Sequence, residues 1–151
     1  GGYAKFYKMD GLSRLGFIAS ELLLQSEDAE RFKEREDRAT ILFNHSSSVD
    51  SDRKYIESIA DAENYFPSPS VFVYTLPNIV TGEIAMRNKY YGETSFYILP
   101  DKNEKLMQTI LQTAFSDPKT TSIISGWIDY VDDGNFVADI GIYEKEDNKT
   151  L

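Results

Sequence analysis

The chain is 151 residues long, 41% hydrophobic and 13% aromatic, which suits one domain with its own core and excludes a disordered chain. Sixteen Lys plus Arg against 25 Asp plus Glu give a formal charge of −9, a field that repels nucleic-acid backbones and anionic membrane surfaces. With no cysteine, disulfides, thiolate metal sites and a thiol nucleophile are excluded from these residues, and no apolar run reaches membrane-span length.

Asp10–Gln25 predicts a helix, because Leu12, Leu15, Ile18, Ala19 and Leu22 recur at helical spacing and Asp10 can cap the start. The greasiest piece, Leu22-Leu23-Leu24, ends at once in Gln-Ser-Glu-Asp. No basic start precedes a long apolar core, so no secretory signal is visible and the expected address is cytoplasmic. Ser26–Arg38 is dense in charge and reads as a solvated helix end and loop. Ala39–Asn44 is short, apolar and β-branched, the pattern of a buried strand. His45-Ser46-Ser47-Ser48 is a polar turn, followed by a short helix from about Ser51 with Tyr55, Ile56 and Ile59 on one side.

A proline-punctuated approach (Pro67, Pro69) runs through Ser70–Tyr74 and enters a helix at Leu76-Pro77-Asn78. Pro77 suits the first turn, where its missing N–H would have no partner. Gly82 inside that helix costs about 1 kcal/mol against alanine, which predicts a close backbone contact there. Asn88–Glu93 is a loop with Gly92 available for positive φ, and Thr94–Leu99 is the next strand. Pro100-Asp101 ends it and opens another helix, with Asp101 and Glu104 at capping-box spacing. Leu106, Met107, Ile110, Leu111, Ala114 and Phe115 form its apolar stripe. Thr121–Tyr130 and Phe136–Tyr143 flank Asp132-Asp133-Gly134-Asn135, a hairpin signal, and the polar tail Glu144–Leu151 is expected to fray. Without a repeat or linker, Gly1–Leu151 reads as a single α/β domain, a mixed sheet with helices packed on its faces.

The segment Phe66–Arg87, with Pro77, Asn78 and Gly82, resembles the N-terminal half of a β-ketoacyl-ACP synthase, or ketosynthase, a thiolase-like condensing enzyme. Four weaker pieces follow the family's order. Asp10–Glu21 is similar to its early helix, and Ile41–Ser48 to a strand entering a Gly/Ser-rich turn. Tyr91-Gly92-Glu93 sits where the family has an R-G-P-type turn, and Ile124–Tyr130 resembles its later strand. The resemblance implies a truncated thiolase-like half domain. It also implies a departure: the strand matching Thr94–Leu99 should lead into a cysteine at a helix N-terminus, where the dipole lowers the thiol pKa. Here the turn is Leu99-Pro100-Asp101-Lys102, for which helix capping by Asp101 is a sufficient role. The family's activating histidines have no match, since the one histidine, His45, lies upstream. No catalytic, cofactor-binding or metal-ligating residue is therefore expected.

What the resemblance implies instead is partnership. The family pairs subunits through the strand before the nucleophile, and here Thr94, Phe96 and Ile98 alternate with Ser95, Tyr97 and Leu99, apolar enough to be buried on both faces. The expectation is a non-catalytic accessory of fatty-acid, polyketide or aryl-polyene-type biosynthesis, paired as a homodimer or with a full-length ketosynthase. An acidic acyl carrier protein would need a local basic patch, for which Arg87 with Lys89 and Lys102 with Lys105 are the candidates. Two alternatives stand beside it. One is an acyl-thioester hydrolase using Ser46–Ser48 with His45, although no G-x-S-x-G elbow is present. The other is a small acyl-ligand-binding module, with Tyr90, Tyr91 and Tyr97 as possible pocket aromatics and Trp127 on a strand open to a core reading. Asp129, Asp132 and Asp133 lack the alternation of a calcium loop and read as hairpin-tip acids.

Overall fold

A computed structural model describes residues 3–27, 29–60 and 78–146. After a short 3-10 turn at Ala4–Lys8 come α1 (Gly11–Gln25), β1 (Arg38–Asn44) and α2 (Val49–Ala60). They are followed by α3 (Ile79–Asn88), β2 (Thr94–Ile98), α4 (Glu104–Phe115), β3 (Ser122–Asp132) and β4 (Asn135–Glu144). The four strands form one sheet in the order β2-β1-β3-β4. β1 lies parallel to both β2 and β3, and β4 returns antiparallel to β3 through the expected Asp133-Gly134 tip. This is the mixed α/β sheet expected from the sequence.

Strand alternation divides the core between the two faces of the sheet. Ala39, Ile41 and Phe43 of β1 point one way, with Ile123 and Trp127 of β3, and are covered by Met107, Ile110, Leu111, Ala114 and Phe115 of α4. Leu42 and Ile128 point the other way, against Leu12 of α1 and Val80 and Ile84 of α3, and Ile124 extends that layer under Leu24 and Ala85. β1 is buried along its whole length, because it is central and covered on both faces.

Several local expectations are corrected. Asp10 caps α1 as anticipated, accepting from the Ser13 N–H at 3.0 Å, but the buried stripe is Leu12, Ser13, Gly16, Ser20 and Leu24. Ile18 and Leu22 are 48% and 64% exposed. The reason is a close α1–α3 crossing at Gly16, where an added Cβ would stand 2.3 Å from Val80 Cγ2. Small residues therefore turn inward and some leucines outward. Gly82, expected to mark a close contact, meets no atom within 4 Å of an added Cβ. Gly92 does not adopt a left-handed φ; its Cβ would fall 2.4 Å from the Arg38 carbonyl oxygen, so the loop needs glycine for backbone proximity. In α2, Ile56 is 61% exposed.

The helix start after β2 is also different. Asn103, not Asp101, is the N-cap of α4, its side chain accepting from the Leu106 N–H at 3.1 Å. Thr94 and Ile98 are exposed and only Phe96 of that face is partly covered, so β2 is not buried on both faces within this chain. Pro77 and the approach through Pro67, Pro69 and Tyr74 lie outside the described residues, as do the side chains of Tyr55 and Ile59 and the tail beyond residue 146. Asn78 is the N-cap residue of α3, and its carbonyl accepts from the Thr81 hydroxyl at 2.8 Å.

Candidate functional site

Open α/β sheets bind ligands beyond the carboxyl ends of their parallel strands. Here β1 ends at Asn44 and β2 at Ile98, beside Asp129 within the longer β3, so the turns after β1 and β2 together with this stretch of β3 form the candidate site. Asn44 is fully buried and organises the first turn: its Nδ2 donates to the Ser47 carbonyl at 2.9 Å and its Oδ1 accepts from the Ser47 N–H at 3.0 Å. That pair holds Ser47 at φ 54°, a conformation asparagine side chains support through such local bonds. The Leu99 N–H donates back to the Asn44 carbonyl at 2.7 Å, continuing the β1–β2 ladder past the strand end.

His45 is exposed, and its Nδ1 lies 2.9 Å from the Leu99 carbonyl oxygen. A carbonyl can only accept, so the proton sits on Nδ1 and the imidazole ties the two turns together. Ser46 is held from the other side. Asp129 accepts from its N–H and from its hydroxyl, both at 3.2 Å. Ser48 donates to Asp52 at 3.2 Å at the start of α2. The structure therefore brings His45, Ser46 and Asp129 to one edge. It gives the Ser46 hydroxyl to a carboxylate and the His45 ring to a backbone carbonyl, which is turn architecture rather than a nucleophile–base pair.

The second turn, Leu99-Pro100-Asp101-Lys102, buries Leu99 and leaves the next three residues exposed. The Asp101 carbonyl accepts from the Asn103 N–H at 2.9 Å. Lys102 reaches across to Asp139 of β4 at 3.3 Å. Asp101 is a solvated carboxylate and Lys102 a paired ammonium, neither of which can attack a thioester as a cysteine thiolate does.

Of the basic candidates, Arg87 and Lys102 are engaged within the chain, whereas Lys89 and Lys105 are exposed. The Arg87 guanidinium stacks over Tyr3, Phe17 and Phe32 at 4.9, 5.7 and 4.7 Å from their ring centroids and donates to Glu21 at 3.2 Å. Burial alone would raise the Glu21 carboxyl, but hydrogen bonds from Arg31 and Arg87 hold it below its ordinary value. Among the pocket aromatics, Tyr90 is buried with its hydroxyl on Arg38 and Tyr91 is exposed. Tyr97 stacks on Phe43 at 5.5 Å, and Trp127 belongs to the core. The hairpin acids are engaged separately, Asp132 capping the Gly134 N–H at 2.9 Å and Asp133 accepting from the Tyr130 hydroxyl.

Sequence reading missed Arg38. Placed by its charge in a solvated loop, it opens β1 and is 1% exposed. It donates to Glu27 at 2.9 and 2.5 Å, to the Ser122 hydroxyl at 2.9 Å and to the Tyr90 hydroxyl at 3.1 Å, with Glu144 at 3.4 Å. Burial would lower its pKa, yet Glu27 and Tyr90 raise it further, and the Arg38 bond holds Glu27 below the usual carboxylate range. The available signal was its position directly before an apolar run, where one more residue of strand turns it inward beside Thr40 and Leu42.

No family model matches the chain, and no curated protein does. Solved structures do. The ishigamide ketosynthase/chain length factor superposes with a TM-score of 0.68 at 18% identity, covering 81% of this chain and 35% of that one. The ketosynthase ApeO in complex with its chain length factor ApeC, from Xenorhabdus doucetiae, superposes with a TM-score of 0.62 at 12% identity, covering 84% of this chain and 49% of that one. This chain thus spans about a third and about a half of the lengths of the chains it matches. Its sheet and helices have the fold of the corresponding part of ketosynthase and chain length factor structures, the resemblance expected from Phe66–Arg87.

Proposed function

We propose that this protein is a non-catalytic, ketosynthase-like accessory subunit that pairs with an active ketosynthase and helps shape its acyl-chain site, in the manner of a chain length factor. The observation that carries the reading is the turn after β2. The fold leads there from a strand into a helix N-terminus, and the chain supplies Pro100, Asp101 and Lys102 in place of a thiol. The similarity to ketosynthase and chain length factor structures supports the same role. β2 is the pairing strand. Among the described residues it is an outer strand of the sheet, five residues long, with Ile98 half exposed, the kind of edge that accepts an added strand. A fatty-acid, polyketide or aryl-polyene-type pathway and a cytoplasmic location complete the proposal. For the membrane, the structure itself says that no helix among the described residues is long and apolar enough to cross one.

Co-expression with a ketosynthase from the same genome, followed by size exclusion, tests the reading. A one-to-one complex that Ile98→Lys weakens is the expected result; separate elution at micromolar concentration overturns it. The hydrolase alternative is less favoured because the Ser46 hydroxyl is bonded to Asp129 and not to imidazole. Acyl-CoA turnover abolished by His45→Ala would restore it.

A further inference from the structure

The opposite edge of the sheet carries a second surface. β4 is ten residues long and ends the strand order, so among the described residues no strand pairs with its outer side. Natural edges are usually blunted by proline, lysine or covering segments. β4 has neither proline nor lysine between Asn135 and Glu144. Beside it, a groove of about 560 Å³ separates β4 from α1, lined by Ile18, Leu22, Phe136, Ala138 and Ile140 among others. Leu22 is 64% exposed and Phe136 55%, and contiguous apolar exposure of this kind marks interaction surfaces.

Charge decides what fits. From Asp132 to Glu144 the tip and edge carry four carboxylates (Asp132, Asp133, Asp139, Glu144) and no cation. The Lys102 contact leaves the Asp139 side chain 73% exposed, and Glu144 stays 59% exposed beside Arg38. A second copy is the wrong occupant. Antiparallel pairing of β4 with itself at full overlap sets Asp139 opposite Ile140 and brings the Glu144 of each copy beside the other's Asn135 and acidic tip, where like charges destabilise paired strands.

We propose that the β4 edge and the α1 groove form a docking site for an extended, apolar segment of a partner protein flanked by lysine or arginine, added to the sheet as a fifth strand. Its alternate side chains enter the groove and its cations meet the carboxylates, which leaves backbone hydrogen bonds to supply affinity and pockets to supply specificity. This surface lies across the sheet from β2, so it stands or falls independently of ketosynthase pairing.

The test titrates the isotope-labelled chain with the synthetic peptide Lys-Lys-Val-Thr-Val-Thr-Val-Lys-Lys and with its Glu-flanked counterpart, following amide shifts and exchange. The expected result is binding of the basic peptide with slowed exchange confined to β4, and at least about tenfold weaker binding of the acidic one. Leu22→Glu should lower the basic peptide's affinity by about tenfold or more, while Ile56→Glu, exposed on α2, leaves it unchanged. Absence of binding up to about 1 mM, equal binding of both peptides, or self-association of the free chain through β4 would each overturn the proposal.

Discussion

Replacing Glu27 by alanine should destabilise the fold more than replacing Arg38 by methionine, although both remove the same ion pair. Arg38 is 1% exposed and cannot lose its charge, whereas the Glu27 side chain is 20% exposed and can turn to water. Removing Glu27 strands a buried guanidinium with only Ser122, Tyr90 and the more distant Glu144, and breaking a buried pair this way costs about 3–5 kcal/mol. Arg38→Met keeps much of the volume and frees Glu27, leaving the Ser122 and Tyr90 hydroxyls short of a partner at a cost of about 2 kcal/mol. Urea unfolding of the two single mutants and the double mutant measures this. The double mutant should resemble Arg38→Met alone. Because Arg38 holds the folded-state pKa of Glu27 down, the pair's contribution is full above the unfolded carboxyl value of about 4.3 and is lost as pH falls through the folded value. Glu27→Ala should flatten the acid limb of the stability curve. If Arg38→Met proves as costly as Glu27→Ala, or the acid limb is unchanged, the asymmetry is wrong.

Other substitutions test the helix contacts and the hairpin. Gly16→Ala forces a Cβ against Val80 and should cost about 1–3 kcal/mol, while Gly82→Ala, facing open space, should stabilise by about 1 kcal/mol; thermal melts of both decide it. Asn103→Ala should cost about 1 kcal/mol as a lost N-cap and Asp101→Ala almost nothing, readable by chemical denaturation. The Tyr130 phenol, buried and hydrogen-bonded to Asp133, has its pKa pushed up to about 12. Ultraviolet titration should find one late-ionising tyrosine, which Asp133→Asn moves back toward about 10. Since the folded value is the raised one, this group's contribution is complete below the unfolded pKa and disappears as pH rises through the folded one.

The elements that depend on local periodicity are legible in the sequence. The α1 start at Asp10, the strand from Ala39, the α4 stripe and the Asp-Gly hairpin each have short-range signals, and each is where the sequence places it, save that Leu106 of the stripe is 41% exposed. The errors concern what lies across from a residue. Gly16 and Gly82 look alike in one dimension, yet only Gly16 meets another helix. The α1 stripe was assigned to the large residues, whereas the close crossing selects Ser13, Gly16 and Ser20. Asp101 and Asn103 are both good caps, and the first turn of α4 chose between them by starting at Glu104. At the candidate site, the His45–Leu99 and Ser46–Asp129 contacts join positions 54 and 83 residues apart, beyond the reach of any local pattern. Arg38 was hidden for the same reason, as its burial depends on Glu27, Tyr90 and Ser122 arriving from three directions.

The central claim, a pairing subunit that works through β2, is tested most directly by amide exchange on the chain alone and in the co-purified ketosynthase complex. The account predicts that exchange slows across Thr94–Ile98 on complex formation, while the Asn44–Ser48 turn keeps its free-chain rates. A complex that forms with β2 exchanging as in the isolated chain, or no complex at all, would contradict it.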